Sequence, residues 1–201
     1  FLVSKMAKEK VTVALSADGG DEIFAGYNRY KNILSKFKII NRIPKFLFPL
    51  FGNIFSNKYF RYLFNLLFGT KSNTYYDGLS KIFNSKFDYR EVAKMSVTKI
   101  SDNELNKLMV TTPLIKNNNF KSPKYSLLDT CLYIDFKTYL VDDIMTKVDR
   151  SSMAVSLEGR EPLLDHRIIE YVAQLPEKFK INGSDQKYLL KSLAHKLIPY
   201  D

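Results

Sequence analysis

Cysteine and histidine are scarce in this chain of 201 residues, which has one cysteine, Cys131, and two histidines, His166 and His195. One cysteine cannot form an internal disulfide framework, and no Cys/His cluster has the spacing of zinc ligands. Neither histidine lies in a recognisable motif with a serine or cysteine nucleophile, so a hydrolase triad has no support. This cysteine usage favours a reducing, cytoplasmic setting.

Long apolar runs are also missing. The most apolar stretch, Phe46 to Phe55, contains Pro49, is followed by Lys58 and Arg61, and is far shorter than the roughly 20 residues of a membrane-spanning helix. The sequence therefore predicts no transmembrane span. With 45 % hydrophobic and 26 % charged residues, the composition is that of a soluble chain with a hydrophobic core, which excludes a disordered tail or a peptide hormone.

Acidic residues are absent between Lys31 and Lys71, where eight Lys and Arg residues supply most of the net charge of +10. Ten aromatic residues lie in the same stretch, from Phe37 to Phe68. One interpretation is a surface that binds nucleic acid or an anionic membrane. The other is a helical subdomain with an aromatic core and exposed lysines.

Apolar residues at helical spacing favour the helical subdomain. We expect three aromatic side chains, Phe37, Phe60 and Phe64, to be largely buried and the lysines to be exposed. The residues that carry the spacing are Ile33, Phe37, Ile40, Tyr59, Tyr62, Leu63, Leu66 and Leu67.

A strand, a glycine loop and a helix follow one another near the start of the chain. Val11 to Leu15 is a short apolar run typical of a parallel strand buried on both faces, and Asp21 is a candidate N-cap of the next helix. Asp18, Asp21 and Glu22 lie in or beside this loop, where open α/β sheets bind ligands. Carboxylates at this spacing suit Mg²⁺, although a simple Asp-Gly turn with a helix cap explains them equally well.

Two lysines are candidates for binding an anion. Lys187 lies at the predicted start of a helix, where the helix dipole does not favour a cation, so an anionic ligand or simple solvation would explain it. Lys147 lies four residues after Asp143, the spacing of an ordinary helical ion pair. Between them, Glu158, Arg160, Asp165 and His166 lie around a proline turn. These residues are expected either to bind substrate or to include a buried Glu/Arg pair that braces the turn.

Two long segments, Val13–Tyr30 and Tyr139–Arg167, closely resemble signatures of the synthetase domain of glutamine-dependent asparagine synthetases. The resemblance extends over Val11–Tyr30 and Leu127–Pro199. Departures from the family pattern are Ala17 and Ala25 in place of glycines, Gly159 in place of alanine, and Glu161 in place of an apolar residue, which is expected to perturb a pocket wall.

The resemblance implies an α/β fold: part of a parallel-sheet domain of the ATP-pyrophosphatase type, mostly helical here, with one clear strand. It divides the chain into residues 1–30 with the strand, acidic loop and first helix, a basic aromatic-rich helical insertion over 31–125, and a helical return over 126–201. The start at Phe1, and the absence of the family's pyrophosphate loop and glutaminase domain, predict an interior fragment that is inactive by itself.

The resemblance also implies a reaction, in which a carboxylate attacks ATP to form an acyl-adenylate and ammonia displaces AMP. The cofactors would be ATP and Mg²⁺, with aspartate as acceptor and glutamine as nitrogen source through a separate domain. By position, Asp21 matches the Mg²⁺ ligand, Asp18 and Glu22 line the aspartate and ammonia end, Lys187 is catalytic, and Lys147 is a candidate phosphate contact.

Further expectations follow from the resemblance. The longer protein is expected to form a homodimer and to bind no specific nucleic acid. Two alternatives remain open: a relative that amidates another acid, and a non-enzymatic basic module that binds nucleic acid or an anionic membrane.

Overall fold

A computed structural model describes residues 1–68, 73–85, 88–97, 107–108 and 126–198. The chain forms two compact units. We call residues 1–30 and 131–201 the signature unit and residues 31–130 the basic unit. Lys71, the last cation of the basic stretch, lies outside the described residues.

Helices dominate both units. In chain order they are α1 (Leu2–Lys8), α2 (Gly20–Phe24), α3 (Asn28–Ile40), α4 (Phe48–Ser56), α5 (Lys58–Phe68), α6 (Asn73–Asn84), α7 (Tyr89–Val97), α8 (Leu127–Lys137), α9 (Thr146–Met153), α10 (His166–Ala173), α11 (Glu177–Lys180) and α12 (Tyr188–Ala194). Short 3₁₀ helices cover Lys45–Leu47 and Pro162–Leu164, and a π-helical turn covers Leu140–Met145. No helix of the described ranges is both long and apolar enough to span a bilayer.

A two-stranded parallel sheet lies in the signature unit. It pairs β1 (Val13–Leu15) with β2 (Glu158–Arg160), and Ala14 lies opposite Gly159. This confirms the α/β class with a parallel sheet. A second sheet, an antiparallel hairpin, consists of β3 (Ile181–Asn182) and β4 (Asp185–Gln186).

Two details of the sheet prediction are wrong. The sequence indicated one strand, but the described residues contain four, because Glu-Gly-Arg in β2 carries no apolar signal and is held by pairing with β1. The sequence also indicated that β1 is buried on both faces, yet Val13 and Leu15 are exposed. Among the described residues β1 has only one neighbouring strand, so its apolar side chains reach solvent.

The hydrophobic core of the signature unit fixes the position of α2, the helix that carries Asp21 and Glu22. Ile23 and Phe24 of α2 and Val172 of α10 are buried together. Partly buried side chains pack around them from the 3₁₀ helix Pro162–Leu164, from helices α8, α10 and α12, and from the segment after α10. They are Phe136, Leu163, Leu164, Ile168, Ile169, Leu175, Leu189 and Leu190. The apolar side of α2 is therefore anchored, and its polar side carries the candidate site.

The start of α2 differs from the prediction. Asp21 is not the N-cap; Gly19 occupies that position with φ of 84°, and Asp21 is the second residue of the helix. A Cβ on Gly19 would lie 2.2 Å from Leu164 Cδ2. Glycine is therefore favoured here for two reasons: it adopts the left-handed backbone without strain, and it has no side chain that would overlap with Leu164. The side chain of Asp21 is thereby released from capping.

The basic unit has the predicted helical, aromatic interior. Phe48 and Phe83 are buried and meet edge to face with ring centroids 5.3 Å apart. The described lysines between 31 and 58 are exposed, as predicted. Phe37, Phe60 and Phe64 are mostly buried, as predicted, with a minor part of each residue in contact with solvent.

Helix α5 packs only one of the two apolar faces that the sequence indicated. Its inner face carries Phe60 and Phe64, which contact Phe55 and Tyr76. The predicted core stripe is instead exposed; it consists of Tyr59, Tyr62, Leu63, Leu66 and Leu67. Both faces of α5 are apolar, so periodicity alone cannot decide which one packs.

Candidate functional site

An ion pair joins Asp21, in the first turn of α2, to Lys187, which lies between β4 and α12. Lys187 Nζ lies 2.9 Å from Asp21 Oδ1, and both side chains are about one-third exposed. The backbone assists, because the Lys187 N–H donates to the carbonyl of Phe24 at 3.2 Å. The structure thus brings together two of the residues that the sequence singled out, and leaves the pair accessible to a ligand.

Lys187 has an unusual backbone for a lysine. Its φ of 52° lies in the left-handed region, as does the φ of 59° at Ala25, one of the positions where the family pattern has glycine. A residue with a Cβ pays a conformational cost there, and such outliers cluster at functional sites. Lys187 therefore holds a backbone conformation that suits glycine better than lysine.

Gly26 makes room for this ion pair. A Cβ at Gly26 would lie 1.8 Å from Asp21 Oδ1 and 2.1 Å from Lys187 Cε. Sequence analysis did not single out Gly26, because a glycine next to a loop has many ordinary explanations. Only the folded arrangement shows that the two charged side chains meet over it.

Asp18 lies at the end of β1 in a polar turn. The hydroxyl of Ser16 donates to its carboxylate, and the backbone N–H of Asp18 donates to Ser16 Oγ at 3.1 Å. Across the ranges that the structure describes, no group of three or more His, Cys, Asp or Glu side chains is arranged to hold a metal. The three loop carboxylates therefore do not form a metal cage.

Asp21 nevertheless fits the usual binding mode of Mg²⁺ in nucleotide enzymes. This ion keeps several waters and takes one or two carboxylates together with phosphate oxygens. Asp21 offers an accessible carboxylate oxygen beside a lysine that would face the same phosphates. A single protein ligand is enough in that mode.

Glu22, the next residue, points to the interior. Its side chain is only 2 % exposed and accepts a hydrogen bond of 2.5 Å from Tyr27 Oη. Burial raises the pKa of Glu22 above its ordinary value, against the opposing effect of the Tyr27 hydrogen bond. Burial and the neighbouring carboxylate raise the pKa of Tyr27 as well. One turn of helix thus places two adjacent carboxylates in different environments.

A buried charge cluster supports this side of α2. Arg29 Nη2 donates to Asp135 Oδ2 at 2.7 Å, and Tyr30 Oη donates to the same oxygen at 2.5 Å. The Arg29 guanidinium lies 4.3 Å from the ring centroid of Tyr27 and 5.0 Å from that of Tyr139. Burial opposes the charge of Arg29, but Asp135 outweighs it and the pKa of Arg29 is raised.

This cluster was missed in the sequence because nothing near Asp135 signals it. Asp135 lies in α8 amid apolar residues, and it is only 1 % exposed. Its partners belong to the first signature, more than a hundred residues earlier. A buried aspartate in an apolar helix is a sign of a distant cation, but the sequence does not say which one.

The remaining candidates lie apart from the ion pair. Lys147 Nζ contacts Asp143 at 2.6 Å, as the four-residue spacing predicts, and the lysine is exposed. Hydrogen bonding to Asp143 raises the pKa of Lys147. Glu158 and Arg160 also form a pair, at 2.7 Å, but it is exposed, so the expected burial of this pair is wrong.

Glu161, which departs from the family pattern, lines an open cleft of about 650 Å³ in the signature unit. Leu15 and Arg160 line the same cleft, beyond the ends of β1 and β2, together with Pro162, Leu164, Asp165, Arg167 and Ile168. None of the five predicted site residues lines it. Glu161 thus lies in a cleft wall, and the perturbation of a pocket wall by this residue stays a prediction.

Comparison with known proteins points to one family. The family described as Asparagine synthase matches residues 1–201. Asparagine synthetase (glutamine-hydrolyzing) 1 of Bacillus subtilis (strain 168) is 32 % identical over 202 residues, which cover 99 % of this chain and 30 % of that protein. A putative asparagine synthetase (glutamine-hydrolyzing) of Mycobacterium bovis is 29 % identical over 210 residues, covering 99 % of this chain and 29 % of the relative.

A shorter match is closer in sequence. The putative asparagine synthetase (glutamine-hydrolyzing) 2 of Methanocaldococcus jannaschii is 49 % identical over 47 residues, which cover 23 % of this chain and 9 % of the relative. The chain spans about 30 % of the length of the curated relatives that it matches over nearly its whole length. No solved structure matches it.

Proposed function

Since the chain belongs to the asparagine synthase family, we propose that this protein is a ligase that converts aspartate to asparagine at the expense of ATP. The nitrogen would come from glutamine, because the relatives carry the words glutamine-hydrolyzing in their names. The observation that carries the proposal is the accessible pair of Asp21 and Lys187, a carboxylate and a cation drawn from separate segments of the chain.

The reaction has two steps. First, a carboxylate oxygen of aspartate attacks the α-phosphorus of ATP; an O–P bond forms, the bond to the β-phosphate oxygen breaks, and pyrophosphate leaves. Then ammonia attacks the acyl carbon; a C–N bond forms, the bond to AMP breaks, and the nitrogen loses a proton. Negative charge develops on phosphate oxygens in the first step and on the acyl oxygen in the second.

Lys187 is suited to stabilise this charge. Its ammonium is a compact point charge, held by Asp21 and by a constrained backbone, so little reorganisation is needed when a transition state forms. With ATP bound, its phosphate oxygens would compete with Asp21 for Lys187. Mg²⁺ bound by Asp21 would neutralise phosphate charge and free the lysine for that contact.

The other candidates take supporting roles in this proposal. Asp18, at the end of β1, would line the end of the site that receives aspartate and ammonia. Glu22 would act from the interior, through Tyr27 and the position of α2, since its own side chain is buried. Lys147 would contact phosphate only by exchanging its partner Asp143 for the nucleotide.

Substituting Lys187 tests the proposal. Made in the longer protein of which this chain is predicted to be a part, Lys187→Met should lower kcat for asparagine formation by about a hundredfold or more, which is the effect of losing a charge-stabilising donor. Lys187→Arg should also be poor, because a planar guanidinium does not replace a point charge in a tight site. Lys191→Met, on the exposed side of α12, is the matched control and should change kcat little.

A second substitution tests the metal ligand. Asp21→Asn keeps the size of the side chain but removes the charge, so in the longer protein aspartate-dependent exchange of labelled pyrophosphate into ATP should collapse while the melting temperature changes little. Exchange at the normal rate in either Asp21→Asn or Lys187→Met would contradict the proposed roles. If asparagine does not form but another carboxylic acid supports exchange, the protein amidates that acid instead.

A further inference from the structure

The two units differ sharply in charge. The basic unit carries 17 Lys and Arg residues against six Asp and Glu residues, a net charge of +11, whereas the signature unit carries 14 against 15, a net charge of −1. All of the chain's excess positive charge therefore lies in the unit that holds none of the candidate catalytic residues. The proposed chemistry gives no reason for this distribution.

The same unit exposes an apolar helix face. We call Tyr59, Tyr62, Leu63, Leu66 and Leu67 the α5 stripe; each of its side chains is between 54 % and 86 % exposed. Their spacing puts them on one side of the helix over a length of about 12 Å. A stripe of three leucines and two tyrosines left in water is a mark of an interaction surface.

The opposite face of α5 is already occupied. Phe60 contacts Phe55, Phe64 contacts Tyr76, and Arg61 bonds Asp77 at 2.7 Å and the carbonyl of Phe55. These contacts fix the orientation of the helix, so it cannot rotate to bury the stripe without losing them. The stripe is presented to solvent by the packing of the unit itself.

We propose that the α5 stripe binds the surface of an anionic lipid bilayer. Apolar side chains at helical spacing enter the boundary between headgroups and acyl chains, tyrosines suit that boundary, and surrounding lysines are attracted to anionic lipids. Lys58, at the first position of α5, and Lys38, Arg42 and Lys45 before it are all exposed. The affinity of an amphipathic helix for a membrane surface grows with the apolar area that it buries and with its attraction to anionic lipids.

Charge argues against the other occupants. A second copy docked through the same face would bring two units of +11 together, and their repulsion opposes that contact. Nucleic acid would satisfy the lysines but would leave three leucines with nothing to stack on. An anionic bilayer satisfies both the cations and the leucines.

The experiment uses the full chain, whose lack of tryptophan allows a single-site reporter. Leu66→Trp should show a blue-shifted emission when vesicles of phosphatidylcholine with phosphatidylglycerol are added, and none with phosphatidylcholine alone. Met6→Trp is the matched control: Met6 lies on an exposed apolar face of α1, but in the unit without excess positive charge. Its emission should stay that of an indole in water.

Sedimentation with the same vesicles measures the contribution of the stripe. Leu63→Ser with Leu66→Ser should weaken binding about tenfold or more, because two leucines leave the interface. Val3→Ser with Met6→Ser, an equally exposed pair in α1, should leave binding unchanged. High salt should weaken binding by screening the lysines, even in the unaltered chain.

Four outcomes would overturn the proposal. The first is no binding to anionic vesicles, and the second is binding that the two leucine substitutions do not change. The third is emission from Leu66→Trp that is already blue-shifted before lipid is added, or loss of folding in the leucine variant; either means that the stripe is covered within the protein. The fourth is a change of oligomeric state in the leucine variant, which assigns the stripe to a second copy.

Discussion

Each unit contains an arginine paired with an aspartate at 2.7 Å, and the two pairs differ mainly in how deeply the aspartate is buried. In the signature unit, Asp135 is almost inaccessible and also accepts the hydroxyl of Tyr30. In the basic unit, the side chain of Asp77 is 23 % exposed, so water can reach it. The two N–O distances are equal, but removing the arginine has a different cost in each pair. A charge left without its partner is costly only where water cannot replace that partner.

The difference extends to the surroundings of the pairs. The buried pair stands beside Tyr27 and Glu22, which adjoin Asp21 on α2, so its position bears on the candidate site. The partly buried pair of Arg61 and Asp77 holds α5 against its neighbours and leaves the α5 stripe on the outside. In the signature unit the ion pair fixes buried side chains, and in the basic unit it fixes the orientation of α5.

The largest effect is expected from breaking the two pairs in parallel. Arg29→Met should lower the free energy of unfolding by about 3 kcal/mol, because it leaves the Asp135 carboxylate buried without its cation. Arg61→Met should cost about 1 kcal/mol, since solvent reaches Asp77. Urea titration measures both values.

A double variant sharpens this result. Asp135→Asn added to Arg29→Met removes the stranded charge while keeping the size of the side chain, so most of the lost stability should return. Equal losses for Arg29→Met and Arg61→Met, or no recovery in the double variant, would show that burial does not distinguish the two pairs.

An intermediate effect is expected from filling the space at Gly26. In the longer protein, Gly26→Ala should lower kcat for asparagine formation by about tenfold or more, because the added methyl would overlap with Asp21 Oδ1 and Lys187 Cε and displace them. Gly159→Ala is the control; there a Cβ would lie 3.2 Å from the flexible end of Glu161. Steady-state kinetics of both variants make the comparison, and normal turnover in Gly26→Ala would refute the role of the space.

The smallest effect concerns the buried carboxyl of Glu22. Its raised pKa means that the folded state holds the protonated form more tightly than the unfolded chain, whose value is about 4.5. The resulting stability is fully present below that pH and is lost as pH rises through the folded pKa. Glu22→Gln should therefore be more stable than the unaltered chain at neutral pH, by about 1 kcal/mol, with the difference vanishing in acid.

Thermal unfolding of Glu22→Gln and of the unaltered chain, measured from acid to neutral pH, checks the prediction. Glu170→Gln, on the exposed side of α10, is the control and should leave the pH dependence unchanged. A Glu22→Gln variant less stable than the unaltered chain at neutral pH would mean that the hydrogen bond from Tyr27 to the carboxylate outweighs the cost of burial.

Much of the signature unit could be predicted because its signals are local. The apolar run at β1, the glycines after it and the helix that follows occupy consecutive positions, and the pair of Asp143 and Lys147 follows from the geometry of one helix turn. Strand β2 could not be predicted in the same way. Glu158, Gly159 and Arg160 become a strand only because β1 offers them backbone partners.

The sequence by itself determined the family, the order of strand, loop and helix, and the lysine and aspartate on which the proposed chemistry rests. Tertiary structure alone decided that Asp135 pairs with Arg29 and that Gly26 leaves space for Asp21 and Lys187. It also decided which face of α5 is exposed to solvent. The physical reason is range. Helical periodicity and turn preferences act between near neighbours, whereas burial and ion pairing depend on segments that meet only when the chain has folded.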